Sequence, residues 1–86
     1  MKNFFELVPQ SNTQQSFGRK AFVEIDGNVR NLWSYNTLVA TIDTDKNELT
    51  IIDNYSVTTS KHQKEFARQH GFTLPKGAIR TGVYTK

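Results

Sequence analysis

His62, Phe66 and His70 recur every fourth residue in "YSVTTSKHQKEFARQHGF" (55–72), and the cations Lys61, Lys64 and Arg68 are threaded between them. Residues four apart share one side of a helix. Two histidines on adjacent turns could hold one zinc ion. His62 and His70 are instead two turns apart, about 12 Å along the axis at 1.5 Å rise per residue. Each would need Asp or Glu ligands from the sheet or a second molecule to complete a tetrahedral site. The simpler reading makes His62 a partly buried residue whose ring nitrogen bonds the sheet. His70 then favours the negative C-terminal end of the helix. The expectation is no cofactor and no metal, with His62 and His70 as the pair to examine.

Lys61, Lys64 and Arg68 are spaced i, i+3, i+7 and form one stripe. Such a stripe can track phosphates. It is equally the solvated face of a surface helix, on which Glu65 is placed to pair with Lys61 at i, i+4. There is no helix-turn-helix pair and no aromatic RNA-recognition pattern. Arg30, Trp33 and Tyr35 are the further binding candidates, because aromatics beside cations on an open sheet face can stack bases or meet a protein. Catalytic patterns are missing: no glycine-rich phosphate loop, no G-x-S-x-G, no H-E-x-x-H. Asp26, Asp43, Asp45 and Asp53 fall in expected turns, where aspartate is favoured structurally. With zero cysteines, a disulfide framework, a thiolate zinc site and a cysteine nucleophile are excluded. We expect a protein that binds rather than an enzyme.

The elements that must position these residues follow from periodicity. "RKAFVEI" alternates, with Ala21, Val23 and Ile25 on one side and Phe22 and Glu24 on the other. Asp26-Gly27 then signals a tight hairpin. In the return strand Val29, Asn31, Trp33 and Tyr35 share one face, and Arg30, Leu32 and Ser34 the other; Phe22 is expected on the opposite face of the neighbouring strand. After a turn at "SYNT", "NTLVATI" directs Leu38, Ala40 and Ile42 one way. "DTDKN" turns again, and "ELTIID" pairs Leu49 with Ile51 on one face. Three short connections in a row predict an antiparallel meander.

The period then becomes helical. Thr58 or Thr59 is the expected N-cap, with Ser60–Gln63 as an alternative capping box. Gly71 should take the left-handed position that ends the helix, Phe72 should fold back on the last turn, and Pro75 prevents continuation. "NFFELV" predicts a short edge strand or helical turn, and the tail after Phe72 leaves room for a last short strand. The fold class is α+β: a four- or five-stranded antiparallel sheet packed against one main helix. Phe66 anchors that helix, aided by Val57, Phe72 and Trp33 or Tyr35 beneath it.

Eighty-six residues make one domain. A chain of this size buries only about 60–65% of its unfolded surface, so the core is thin. Net charge is +3, a balance that permits nucleic acid without demanding it. Mean hydropathy is −0.58. No apolar run approaches the ~18–20 residues of a membrane span. The opening "MKNFFELVPQ" lacks the apolar core of a signal peptide, so a cytoplasmic location is expected, without a membrane partner.

Three patterns carry a resemblance: "SF-G-KA-V" at Ser16–Val23, "SYNT" at Ser34–Thr37, and "YS-TT--H--EF--Q-G" at Tyr55–Gly71. Together they resemble a family of small uncharacterised proteins from phages, plasmids and other mobile elements of Gram-positive bacteria. The likeness spans about two-thirds of the chain. It divides the single domain 1–86 into a variable N-terminal segment (1–16), a core (17–72) and a C-terminal tail (73–86). It singles out Thr58, Thr59, His62, Glu65 and Phe66, of which only His62 lacks a structural duty as cap or anchor. It implies a mobile-element accessory protein in a bacterial host cell. Such a protein would bind a host protein as monomer or homodimer, with a defence nuclease (the anti-CRISPR type) as one target and nucleic acid as the alternative partner. The basic net charge argues against mimicry of DNA.

Overall fold

The computed structural model describes residues 3–7, 20–53, 57–74 and 79–85, with 57 and 58 described by backbone alone. Expectations placed on Arg19, on the loop at 10–16, on the side chains of Val57 and Thr58, and on Pro75, Lys76 and Lys86 lie outside the described residues.

The chain forms β1 (Asn3–Glu6), β2 (Ala21–Asp26), β3 (Val29–Ser34), β4 (Thr37–Asp43), β5 (Glu48–Ile51), α1 (Val57–Gln69) and β6 (Gly82–Thr85). All six strands join one antiparallel sheet in chain order. The α+β class and the meander are as expected, but the sheet has six strands rather than four or five. A four-strand meander offers two edges of unpaired backbone groups, and each end of the chain satisfies one. β1 pairs with β2 through Phe5↔Val23, and β6 with β5 through Leu49↔Tyr84.

The turns explain the register. Between β2 and β3 only Gly27 has positive φ, 61°, as a two-residue loop with glycine first requires. That loop pairs Asp26 with Val29 and hence Phe22 with Trp33. Between β3 and β4, Tyr35 and Asn36 both take positive φ, 51° and 67°, the pattern of a type I′ turn. Asn47, φ 53°, closes the third turn. There Asp43 Oδ1 accepts the backbone N–H groups of Asp45 and Lys46, the local bonding for which turns select aspartate.

Two face assignments are corrected by this register. Phe22 and Trp33 stand side by side on one face, because cross-strand partners share a face. Leu38 does not face with Ala40 and Ile42. The register shifts between Leu32 and Trp33, so Leu32 opposes Ala40 while Trp33 opposes Leu38. Val39 is the extra residue of a β-bulge, and one extra residue inverts the alternation beyond it.

The core lies between the helix and one sheet face: Ala21, Val23, Leu32, Val39, Ala40, Ile42, Leu49 and Ile51 from the strands, with Phe66, Ala67 and Phe72 above. α1 packs on β3 and β4. Of the two expected aromatics, Trp33 points to the far face, whereas Tyr35 at the turn tip sets its ring 6.0 Å from that of His62 on the helix; Leu32 and Ser34 are the buried β3 residues on the helix side. The helix end is as expected. Gly71, φ 82°, sits at C′; its N–H reaches Arg68 O, and the Phe72 N–H reaches Ala67 O at 2.8 Å, which is the Schellman pair. The start differs: the helix already includes Val57, so Thr58 and Thr59 lie inside its first turn rather than at the cap. Gln63 is no capping-box partner, since its amide faces the sheet. Gly71→Ala is expected to cost about 1–2 kcal/mol, because a Cβ disfavours the left-handed conformation. A thermal melt of the variant checks this; an unchanged Tm would contradict it.

Candidate binding face and the polar seam under the helix

The helix docks through an unusually polar face. Thr59, His62, Gln63, Phe66 and Ala67 are buried, whereas Lys61, Lys64 and Arg68 are exposed. Buried polar groups are tolerated only with partners. Ser34 Oγ and His62 Nδ1 share a hydrogen bond of 2.8 Å. Gln63 Nε2 donates to Val39 O at 3.0 Å and to Asp53 O. The bulge thus has a structural use: it presents the carbonyl that Gln63 grips. Two of the sequence patterns meet here, because Ser34 belongs to "SYNT" and His62 to the helix motif.

His62 is nearer the bland expectation than the metal one. Its ring is wholly buried. The Tyr35 ring packs 6.0 Å away between centroids, with Lys20 Nζ 5.6 Å from the Tyr35 centroid. Burial, with Lys20 as the smaller cause, pushes the His62 pKa below its ordinary value. His62 is therefore the neutral base at physiological pH. Ser34 and His62 have the composition of a nucleophile–base pair, and both are buried, Ser34 at 2% exposure. His70 donates from Nδ1 to Phe66 O and packs on the Phe66 ring, centroids 4.9 Å apart. It neutralises a carbonyl of the last turn. Among the described residues no three His, Asp or Glu side chains converge.

The seven binding candidates do not form one site. Lys61, Lys64 and Arg68 share the outer helix face. Arg68 is engaged there by Glu65, Nη2 to Oε2 at 2.5 Å, and that carboxylate also accepts from Gln69 Nε2. The expected Glu65–Lys61 pairing is thus replaced by an i, i+3 pair, and the bond raises the Arg68 pKa. Arg30 is on the helix side of the sheet and donates to Gly27 O at 2.9 Å, bracing the first hairpin. Tyr35 is at a turn tip, half exposed, over His62. Trp33 alone lies on the face that the helix leaves uncovered.

That open face is ordered in rows by the strand register. One row runs Glu6–Phe22–Trp33–Leu38, the next Phe4–Glu24–Asn31–Thr41–Thr50–Val83, and the third Asp26–Val29–Asp43–Glu48–Thr85. Phe4 is 59% exposed and Val83 60%. Phe4, Phe22, Trp33 and Asn36 line an open cavity of about 390 Å³. Beside it Glu24, only 5% exposed, accepts from Trp33 Nε1 at 3.2 Å and Asn31 Nδ2 at 3.1 Å, and Thr41 Oγ1 donates to Asn31 Oδ1 at 2.8 Å. This network fixes the Trp33 ring in one orientation. Sequence reasoning missed Phe4, Glu24, Asn31 and Asn36 as site residues. The signal was present: a two-residue turn at Gly27–Asn28 sets the sum of paired residue numbers, which places Phe22 beside Trp33 and Glu24 beside Asn31.

A family model described as a family of unknown function, DUF8033, matches residues 5–80, and the chain belongs to that family. No curated protein and no solved structure matches it.

Proposed function

We propose that this member of a family of unknown function is a non-enzymatic binding protein whose open sheet face docks on a host protein and modulates it. The observation that carries the reading is the aromatic cluster on the face without a helix, where exposed Phe4 and half-buried Phe22 and Trp33 line an open cavity. Aromatic side chains held rigidly around a concavity are what concentrates affinity in a protein interface. A small domain gains nothing in its own stability from leaving such groups in water. The mobile-element setting, a defence nuclease as the target and a cytoplasmic host are parts of this proposal. No described helix is long and apolar enough to cross a membrane.

The alternative is nucleic-acid binding by the basic helix face. Exposure of Lys61, Lys64 and Arg68 supports it, and the Glu65–Arg68 pair weakens it. Three phosphate contacts would lower affinity roughly fortyfold between about 50 and 200 mM salt, and two contacts roughly tenfold. The test is a pull-down from nuclease-treated host lysate at both salt concentrations. Wild type is compared with Phe4→Ser and with a triple Lys61→Gln, Lys64→Gln, Arg68→Gln variant. The expected result is a protein retained at both concentrations by wild type and the triple variant, and lost with Phe4→Ser. Loss with the triple variant and retention with Phe4→Ser would transfer the function to the helix.

A further inference from the structure

Among the described residues, charge is unevenly divided between the open sheet face and the outer helix face. The described strand positions of the open face carry five carboxylates, Glu6, Glu24, Asp26, Asp43 and Glu48, and neither lysine nor arginine. The cations Lys61, Lys64 and Arg68 project from the helix on the opposite side. A protein of net charge +3 thus has carboxylates as the described charged strand residues of the face that carries its aromatic cavity. Polyanions are repelled there, and cations are drawn in and held over ring faces.

From this complementarity we infer that the occupant of the Phe4–Phe22–Trp33 cavity is an arginine side chain from a basic segment of the partner protein. Three features favour a cation, and the first of them chooses arginine over lysine. The walls are aromatic, and a planar guanidinium stacks on rings where a hydrated ammonium does so less well. The Trp33 ring is held by its Nε1–H to Glu24 Oε1, so the stacking surface is preformed. Glu6 opposes Phe22 and Glu24 opposes Phe4 across β1 and β2, which puts carboxylates on two sides of the ring cluster. The inference rests on the proposed binding role and specifies its chemistry.

Trp33 is the one tryptophan of the chain, so its emission reports occupancy directly. The probes are a short oligoarginine peptide, oligolysine and oligoglutamate of equal length, and an oligothymidine strand. Oligoarginine is expected to quench Trp33 and to bind about fivefold more tightly than oligolysine, the increment of one cation–π contact. Phe4→Ala, at an exposed position, should abolish that advantage. Glu24→Gln keeps an acceptor for Trp33 and Asn31 while removing the charge, and should weaken both basic peptides. Equal binding of oligoarginine and oligolysine, unchanged by Phe4→Ala, would overturn the inference in favour of diffuse attraction. Quenching by oligothymidine alone would overturn it in favour of base stacking. If oligoarginine is silent while Phe4→Ser still loses its partner in the pull-down, the arginine assignment fails and the binding role survives.

Discussion

Replacing Phe66 by alanine is expected to lower stability by about 3–5 kcal/mol, the usual cost of removing a buried phenylalanine and leaving a cavity. For a chain of this length the total is only about 4–13 kcal/mol at ~0.05–0.15 kcal/mol per residue. The effect should be at the upper end for a specific reason. Among the described side chains, Phe66 is the one large apolar group that α1 buries; its buried neighbours there are Thr59, His62, Gln63, Glu65 and Ala67. The polar ones make hydrogen bonds, which contribute a net ~1 kcal/mol each, and Gln63 Oε1 is buried without a hydrogen-bond partner among the described residues. Removing the phenyl ring therefore removes most of the hydrophobic attachment of helix to sheet, and also the surface on which His70 packs. Urea denaturation followed by far-UV circular dichroism measures the change. A loss below about 1.5 kcal/mol would mean that polar pairing, not Phe66, holds the helix.

Acidification from about pH 7.5 to 5.5 is expected to destabilise the fold through His62. The folded protein holds its pKa below the ordinary value, whereas the unfolded chain protonates near 6.5. Between the two, the unfolded state binds more protons, so stability falls as pH falls. The contribution is complete above the unfolded value. It is lost progressively as pH drops from there toward the depressed folded value, at up to about 1.4 kcal/mol per pH unit for one proton. His62→Gln should flatten this dependence across the same window while keeping a polar group for Ser34. Melting temperatures of both proteins at several pH values decide it. A slope identical in the variant would assign the acid sensitivity elsewhere.

The proposed binding role gives the basic composition another meaning. Net charge suggested phosphates, and the helix stripe gave that a location. Among the described residues, alternation places five carboxylates on the open sheet face, and helical periodicity places Lys61, Lys64 and Arg68 on the outer face of the helix. An interface sees only its own face, so the local field decides the partner class.

Much of this was legible in local patterns. Period-two alternation, Asp26-Gly27 and the acid-rich turn at 43–47 were enough for the central meander, because strand faces and turn conformations are set by neighbours in sequence. Gly71-Phe72 marked the helix end for the same reason: the Schellman bonds span only six residues. The solvated stripe of Lys61, Lys64 and Arg68 followed from helical spacing alone. Other features depended on residues distant in the chain. The Val39 bulge is met by partners from distant segments, the Ile52 N–H and the Gln63 amide both donating to its carbonyl, and that bulge turns Leu38 to the open face. The terminal strands β1 and β6 carry weak signals of their own and exist because the meander offers edges to pair. Glu24 reads as an ordinary surface acid until Trp33 and Asn31 close over it from the next strand. Sequence determined which residues share a helix face and, away from the Val39 bulge, a strand face. Only the tertiary structure decided which faces meet and which are left open, because pairing between distant segments sets that choice.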